Sequence, residues 1–138
     1  MAKKVIETDK GKAIIPSIVQ APIVHAPDFI SRYANTIRFE ATVYDLKLVF
    51  GESDLGGGVE KIQQHTAITI PWALVKIGMY WLQANVEIHE AINGKVSIPP
   101  SQIPPVPSPV PPDLANDANA KTAYDIAVRI REEFVAGL

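Results

Sequence analysis

The chain reads as an α+β protein. The expected architecture is a three-stranded antiparallel meander packed on one long helix, with an extended N-terminal arm and a C-terminal helix after a proline-rich connector. Three observations predict it. Between Thr36 and Ile70, apolar and polar residues alternate with a period of two in three successive runs. Residues 71–93 switch to helical spacing and close on Asn93-Gly94, which suits a left-handed helix cap. Eight of the fifteen residues from Ile98 to Pro112 are proline, a composition that makes a stiff connector. A length of 138 residues suits one domain.

Residues 1–32 form the arm. Pro16, Pro22 and Pro27 interrupt any long helix, and the apolar pieces "AII", "SIV" and "PIV" lie between them. Such a segment is expected to lie along a surface, because a freely solvated tail is usually more polar. The N-terminus begins basic, but Glu7, Asp9, Lys10 and Lys12 break the apolar stretch that a signal peptide needs. No apolar run approaches the ~20 residues of a membrane span. These features predict a soluble cytoplasmic protein.

Residues 33–94 form the core domain. In "NTIRFEATV", Ile37, Phe39, Ala41 and Val43 alternate with Thr36, Arg38, Glu40 and Thr42. In "YDLKLVFGE", Leu46, Leu48 and Phe50 share one side. The glycine-rich "ESDLGGG" reads as a loop, and "VEKIQQHTAITI" places Ile62, Gln64, Thr66, Ile68 and Ile70 on one side. Such a sheet has a large apolar face and needs a lid. The helix supplies one, with Pro71 at its predicted first position. Leu74, Ile77, Trp81, Ala84, Ile88 and Ala91 make one apolar stripe; Val75, Met79, Leu82 and Val86 make a second. Two stripes predict a second neighbour for this helix. A close helix–helix contact would explain Gly78 in its interior.

Residues 95–112 are the connector and residues 113–138 the second helix. Ala120, Ala123, Ala127, Ile130 and Phe134 fall on one stripe, and Asp113, Asn116 and Asn119 are the candidate N-caps. A helix this short needs tertiary or intersubunit packing. The connector contains two P-x-x-P runs, but no Arg or Lys lies between Lys95 and Lys121 to orient them in an aromatic groove.

Composition narrows the chemistry. The 13 basic and 15 acidic residues nearly cancel, which argues against binding nucleic acid mainly through phosphates. With no cysteine there is no disulfide, thiolate nucleophile or cysteine metal site. His25, His65 and His89 fall on three different segments with no metal-ligand spacing. Glu87 and Glu90 sit on the polar face of the first helix, with nothing in the sequence to tune them as an acid–base pair. "GESDLGGGVEK" lacks the Gly-Lys-Ser/Thr ending of a phosphate loop. Arg38 and Lys47 would share the open sheet face with Glu40 and Asp45, a mixture expected of a solvated or paired surface.

The stretch from Tyr33 to Gly94 resembles a bacterial family of small proteins, domain-of-unknown-function 3467. The resemblance rests on "YAN" at 33–35, "YDLKLVFG" at 44–51, "IPWALVK" at 70–76, and then Leu82, Asn85, Glu90 and Gly94. Ile70 stands where the family pattern has Ser or Thr. The resemblance implies a small non-enzymatic protein and brings no catalytic residue. Arm and connector lie outside the family core.

The expected function is therefore structural or adaptor-like, without catalytic residues, cofactor or metal. The chain is predicted to form a homodimer or higher oligomer, within a larger protein assembly or by itself. The residues expected to carry self-association are Leu74, Ile77, Gly78, Trp81, Ile88, Ile130 and Phe134. A dimer could join helix to helix around Gly78, or edge strands into a six-stranded sheet. A nucleic-acid-associated accessory factor is the alternative.

Overall fold

The structure, a computed structural model, describes residues 22–54 and 61–138. Most of the predicted arm and the triple glycine of the "ESDLGGG" loop lie outside these residues. The chain divides between Asn93 and Gly94 into two compact units.

The first unit holds an antiparallel sheet of order β1-β2-β3, with β1 Thr36–Ala41, β2 Asp45–Asp54 and β3 Lys61–Pro71. The helix α1, Trp72–Asn93, follows β3 directly. With α2 in the second unit this is the predicted α+β class. Residue pairs such as Phe39↔Leu48 and Leu48↔Ile68 set the register. Paired residues share a face, so Ile37, Phe39, Ala41, Leu46, Leu48, Phe50, Thr66, Ile68 and Ile70 form one continuous apolar surface.

Local chemistry fixes the turns and ends. Strand β1 stops at Ala41 because Thr42 begins a tight turn. The Thr42 hydroxyl donates to Asp45 Oδ1 at 2.7 Å and accepts from the backbone N–H groups of Tyr44 and Asp45, each at 3.1 Å. Val43, expected in the strand, therefore sits in the turn and is exposed. At the other end of β1, Asn35 closes the ladder: its Oδ1 accepts from Ser53 N at 2.8 Å, and its own N–H donates to Gly51 O. Glu52 and Ser53 continue β2 past the predicted loop start. Pro71 ends β3 instead of starting α1. The far end of α1 matches expectation, because Gly94 takes a left-handed φ of +89° just past Asn93.

A β-bulge overturns one prediction. Phe50 pairs with Thr66 but Gly51 pairs with Gln64, so His65 is an extra residue on β3. One added residue reverses the side-chain alternation. Ile62 and Gln64 consequently point to the opposite face from Thr66, Ile68 and Ile70.

The second unit folds the connector back on the helix that follows it. Two 3₁₀ turns, Pro100–Gln102 and Pro112–Leu114, bracket the connector, and α2 spans Ala118–Ala136. Arg131 Nε donates to Pro104 O at 2.9 Å, and Lys95 Nζ donates to Gly137 O at 2.9 Å. The connector thus runs antiparallel to α2 as a strap. The lengths agree: Pro104 to Pro112 spans ~25 Å at the polyproline rise, and Arg131 back to Ala118 spans ~20 Å of helix. Ile98, Ile103, Pro107 and Val110 on the strap are half-buried, as are Ala120, Tyr124, Val128 and Arg131 on α2. Helix α2 has no basic residue in its last turn. Lys95 brings a positive charge to those C-terminal carbonyls from outside.

The N-cap of α2 is Asp117, not Asp113, Asn116 or Asn119. Its carboxylate accepts from Asn119 N at 2.8 Å and Ala120 N at 3.2 Å. Asp113 is used up in the 3₁₀ turn, which displaces the helix start by a turn.

Candidate interaction surface

Among the described residues, Val49 is the only buried large hydrophobic side chain, at 8% exposure. It lies mid-strand on the polar face of the sheet, flanked by Arg38 and Ala67. The apolar face is only partly covered by the described residues: Leu46, Leu48, Phe50 and Ile70 are half-buried, and its outer positions are exposed. Phe39 is 56% exposed and Ile68 51%. Helix α1 buries none of its residues and meets β2 and β3 only sparsely. A monomer rarely leaves so contiguous an apolar surface in water, and such surfaces mark interaction sites.

The predicted self-association residues fall into two groups, one in each unit. On α1, Leu74 and Ile77 are exposed, while Gly78, Trp81 and Ile88 are half-buried. The Trp81 ring meets Tyr80 edge-on with centroids 5.0 Å apart. On α2, Ile130 and Phe134 are one turn apart and exposed. The strap covers the flank carrying Tyr124 and Val128; of the predicted stripe through Ala120, Ala123, Ala127, Ile130 and Phe134, only Ala120 is half-buried with it.

Two features were not visible in sequence. The first is the uncovered sheet face, whose residues read as core. The second is the anchoring of the chain before β1 at the bulge. His65 Nε2–H donates to Tyr33 O at 2.9 Å, and its Nδ1 shares a hydrogen bond with the Thr66 hydroxyl at 2.8 Å. Arg32 Nη1 donates to His65 O at 3.4 Å. Ile30, Arg32 and Ala34 then line a shallow cleft with Phe50, His65, Thr66 and Ile68. Both His65 ring nitrogens are engaged in this local network. Residues nearer the start are open, with Ile23 and Val24 exposed and His25 stacked on Phe29 at 4.0 Å.

The polar face carries one charge cluster. Glu40 lies between Lys47 Nζ at 2.6 Å and Arg38 Nη2 at 2.7 Å. The Lys47 hydrogen bond and charge, aided by Arg38, hold the Glu40 carboxyl below the usual carboxylate range. Both cations are engaged by this one carboxylate, one on each oxygen, which leaves the trio with a single positive charge unbalanced. Among the described residues, no three His, Cys, Asp or Glu side chains are grouped to hold a metal ion. None of the helices among them is long and apolar enough to cross a membrane.

Comparison with family models, curated proteins and solved structures returns no match for this chain.

Proposed function

We propose that the protein is a non-enzymatic structural or interaction protein, an assembly subunit or adaptor. It self-associates through the 71–93 helix and its terminal extensions. One observation carries this reading: the first unit has an apolar sheet face and an apolar helix, yet Val49 is the only large side chain it buries among the described residues. Hydrophobic burial is the dominant favourable term in folding, and a unit of this size is marginal even when its core is filled. A partner that covers these surfaces makes up the missing core. The exposed pair Ile130 and Phe134 on α2 gives the second unit a further docking stripe.

The resemblance described above supports a bacterial cytoplasmic setting for such a subunit. A protein partner fits better than a nucleic acid, since Arg38 and Lys47 are both engaged by Glu40.

Light scattering on the purified full chain tests the reading, alongside chains lacking residues 1–32 or 94–138. The expected result is a stable oligomer that each truncation weakens. A full chain that remains monomeric at every concentration and retains no partner in pull-down would refute it.

A further inference from the structure

Two apolar surfaces of the first unit are left largely uncovered by the described residues. One is the sheet face carrying Ile37, Phe39 and Ile68; the other runs along α1 through Ile77. The apolar face runs from Thr66 to Ile70 on β3, ~17 Å, so it takes about half of the ~33 Å spanned by the 22 residues of α1 and leaves the rest of the helix for a second contact. On this face, the strand positions from Ile37 to Ala41 and from Thr66 to Ile70 bear no charged residue; Arg32 borders it at the His65 end, where its guanidinium is hydrogen-bonded to His65 O.

The junction between the two elements keeps the helix from serving as its own lid. Strand β3 ends at Pro71 and α1 begins at Trp72, with no residue between them. Connections between a strand and a helix that packs back on its sheet commonly take roughly two to six residues. The first residue of α1 is also tied down at the end of the sheet, where Trp72 Nε1 donates to Thr42 O at 3.1 Å.

Gly78 adds an independent observation. A Cβ there would meet nothing within 4 Å among the described residues. Glycine is a poor residue for a helix interior, and the described residues offer no steric reason for it. A close helix–helix contact with another chain would supply one.

We propose that a second copy of this chain covers both surfaces. In a two-fold dimer, each protomer lays α1 across the apolar sheet face of the other, and the two helices cross at Gly78. This inference rests on the self-association reading above. Two-fold closure requires only that sheet face and helix be complementary to each other, and it yields two equal contacts per dimer. The two apolar stripes of α1 then have separate neighbours: the partner's sheet on the stripe of Leu74 and Ile77, the partner's helix on the stripe of Met79, Leu82 and Val86, with Gly78 between the two. Three large exposed side chains on the sheet and seven between Leu74 and Ile92 meet this need. At ~100 Å² apiece they present ~1,000 Å² per protomer and ~2,000 Å² per dimer, the range of permanent homodimers.

Complementation between two full-length variants tests the arrangement. Phe39→Asp blocks the sheet face and Ile77→Asp blocks the helix. Light scattering should find the unmodified chain dimeric and each variant alone monomeric. An equimolar mixture should regain dimers, because one of the two contacts then joins an intact helix to an intact sheet. A dimer held only by helices would leave Phe39→Asp dimeric, and an edge-to-edge sheet would leave both variants dimeric. Either result overturns the exchange while leaving self-association standing; a monomeric unmodified chain overturns both. Because the chain has no cysteine, a second measurement is independent of the aspartates' effect on folding. Ile68→Cys and Ile77→Cys, placed in differently tagged chains, should form a disulfide between chains on oxidation. A double variant that closes the bond within one chain overturns the proposal.

Discussion

Replacing Gly51 by alanine tests the bulge that sets the sheet's faces. A Cβ at this position would stand 2.5 Å from Gln63 O and 3.1 Å from both Gln63 C and Gln64 Cα. All three atoms are backbone, so no rotamer change relieves the contact. The bulged segment itself must move, and with it the pairing of Gly51 with Gln64. Inserting a methyl group into such a site typically costs about 1–3 kcal/mol. Removing glycine's extra freedom in the unfolded chain returns roughly 0.5–1 kcal/mol. The net expectation is a loss of about 1–2 kcal/mol. Urea unfolding followed by circular dichroism, at one fixed protein concentration because association couples to folding, measures it. Stability equal to or above that of the unmodified chain would show that the bulge does not hold Gly51 against Gln63.

Three further outcomes follow from local geometry. Asp117→Ala removes the side chain that caps α2 and should cost about 1 kcal/mol, visible as lower helicity and an earlier thermal midpoint. Lys47→Ala should move the Glu40 titration upward toward the ordinary carboxylate range, followed by its side-chain carbonyl resonance. The sign for stability follows: the folded pKa lies below the unfolded one, so the Glu40 contribution is present above the unfolded value and lost as pH falls through the folded one. Arg131→Ala removes the hydrogen bond to Pro104 O and should cost about 1 kcal/mol, read as faster amide exchange at Gln102 and Ile103 in the strap.

Much of the fold was legible because it follows from local pattern. The alternation through Ile37, Phe39 and Ala41 located β1, and Asn93-Gly94 located the end of α1. The bulge was less visible, because it depends on which residue of β2 meets which residue of β3. Gly51, a glycine inside an apolar strand pattern, was the available signal. The covered face of α2 escaped the sequence for a similar reason. The stripe through Ile130 and Phe134 is a true property of the helix, but the strap settles on the neighbouring flank, held by Arg131 and Lys95. The sequence also showed that α1 carries two apolar stripes. It did not show that the sheet face would stay open, because that depends on a junction with no spare residue at Pro71-Trp72.

The connector's proline content matters for more than stiffness. Each proline lacks a backbone N–H, so eight of the fifteen positions from Ile98 to Pro112 cannot donate to a β-ladder. The chain also carries a three-stranded sheet with two outer strands, one of them eleven residues long. In a chain with such edges, an ordinary apolar cover segment could be captured as a fourth strand, in its own protomer or in a neighbour. A proline-dense strap can shield α2 through side chains and two cationic hydrogen bonds, yet it resists recruitment into the sheet. Covering a helix and extending a sheet thus remain chemically separate tasks in this chain.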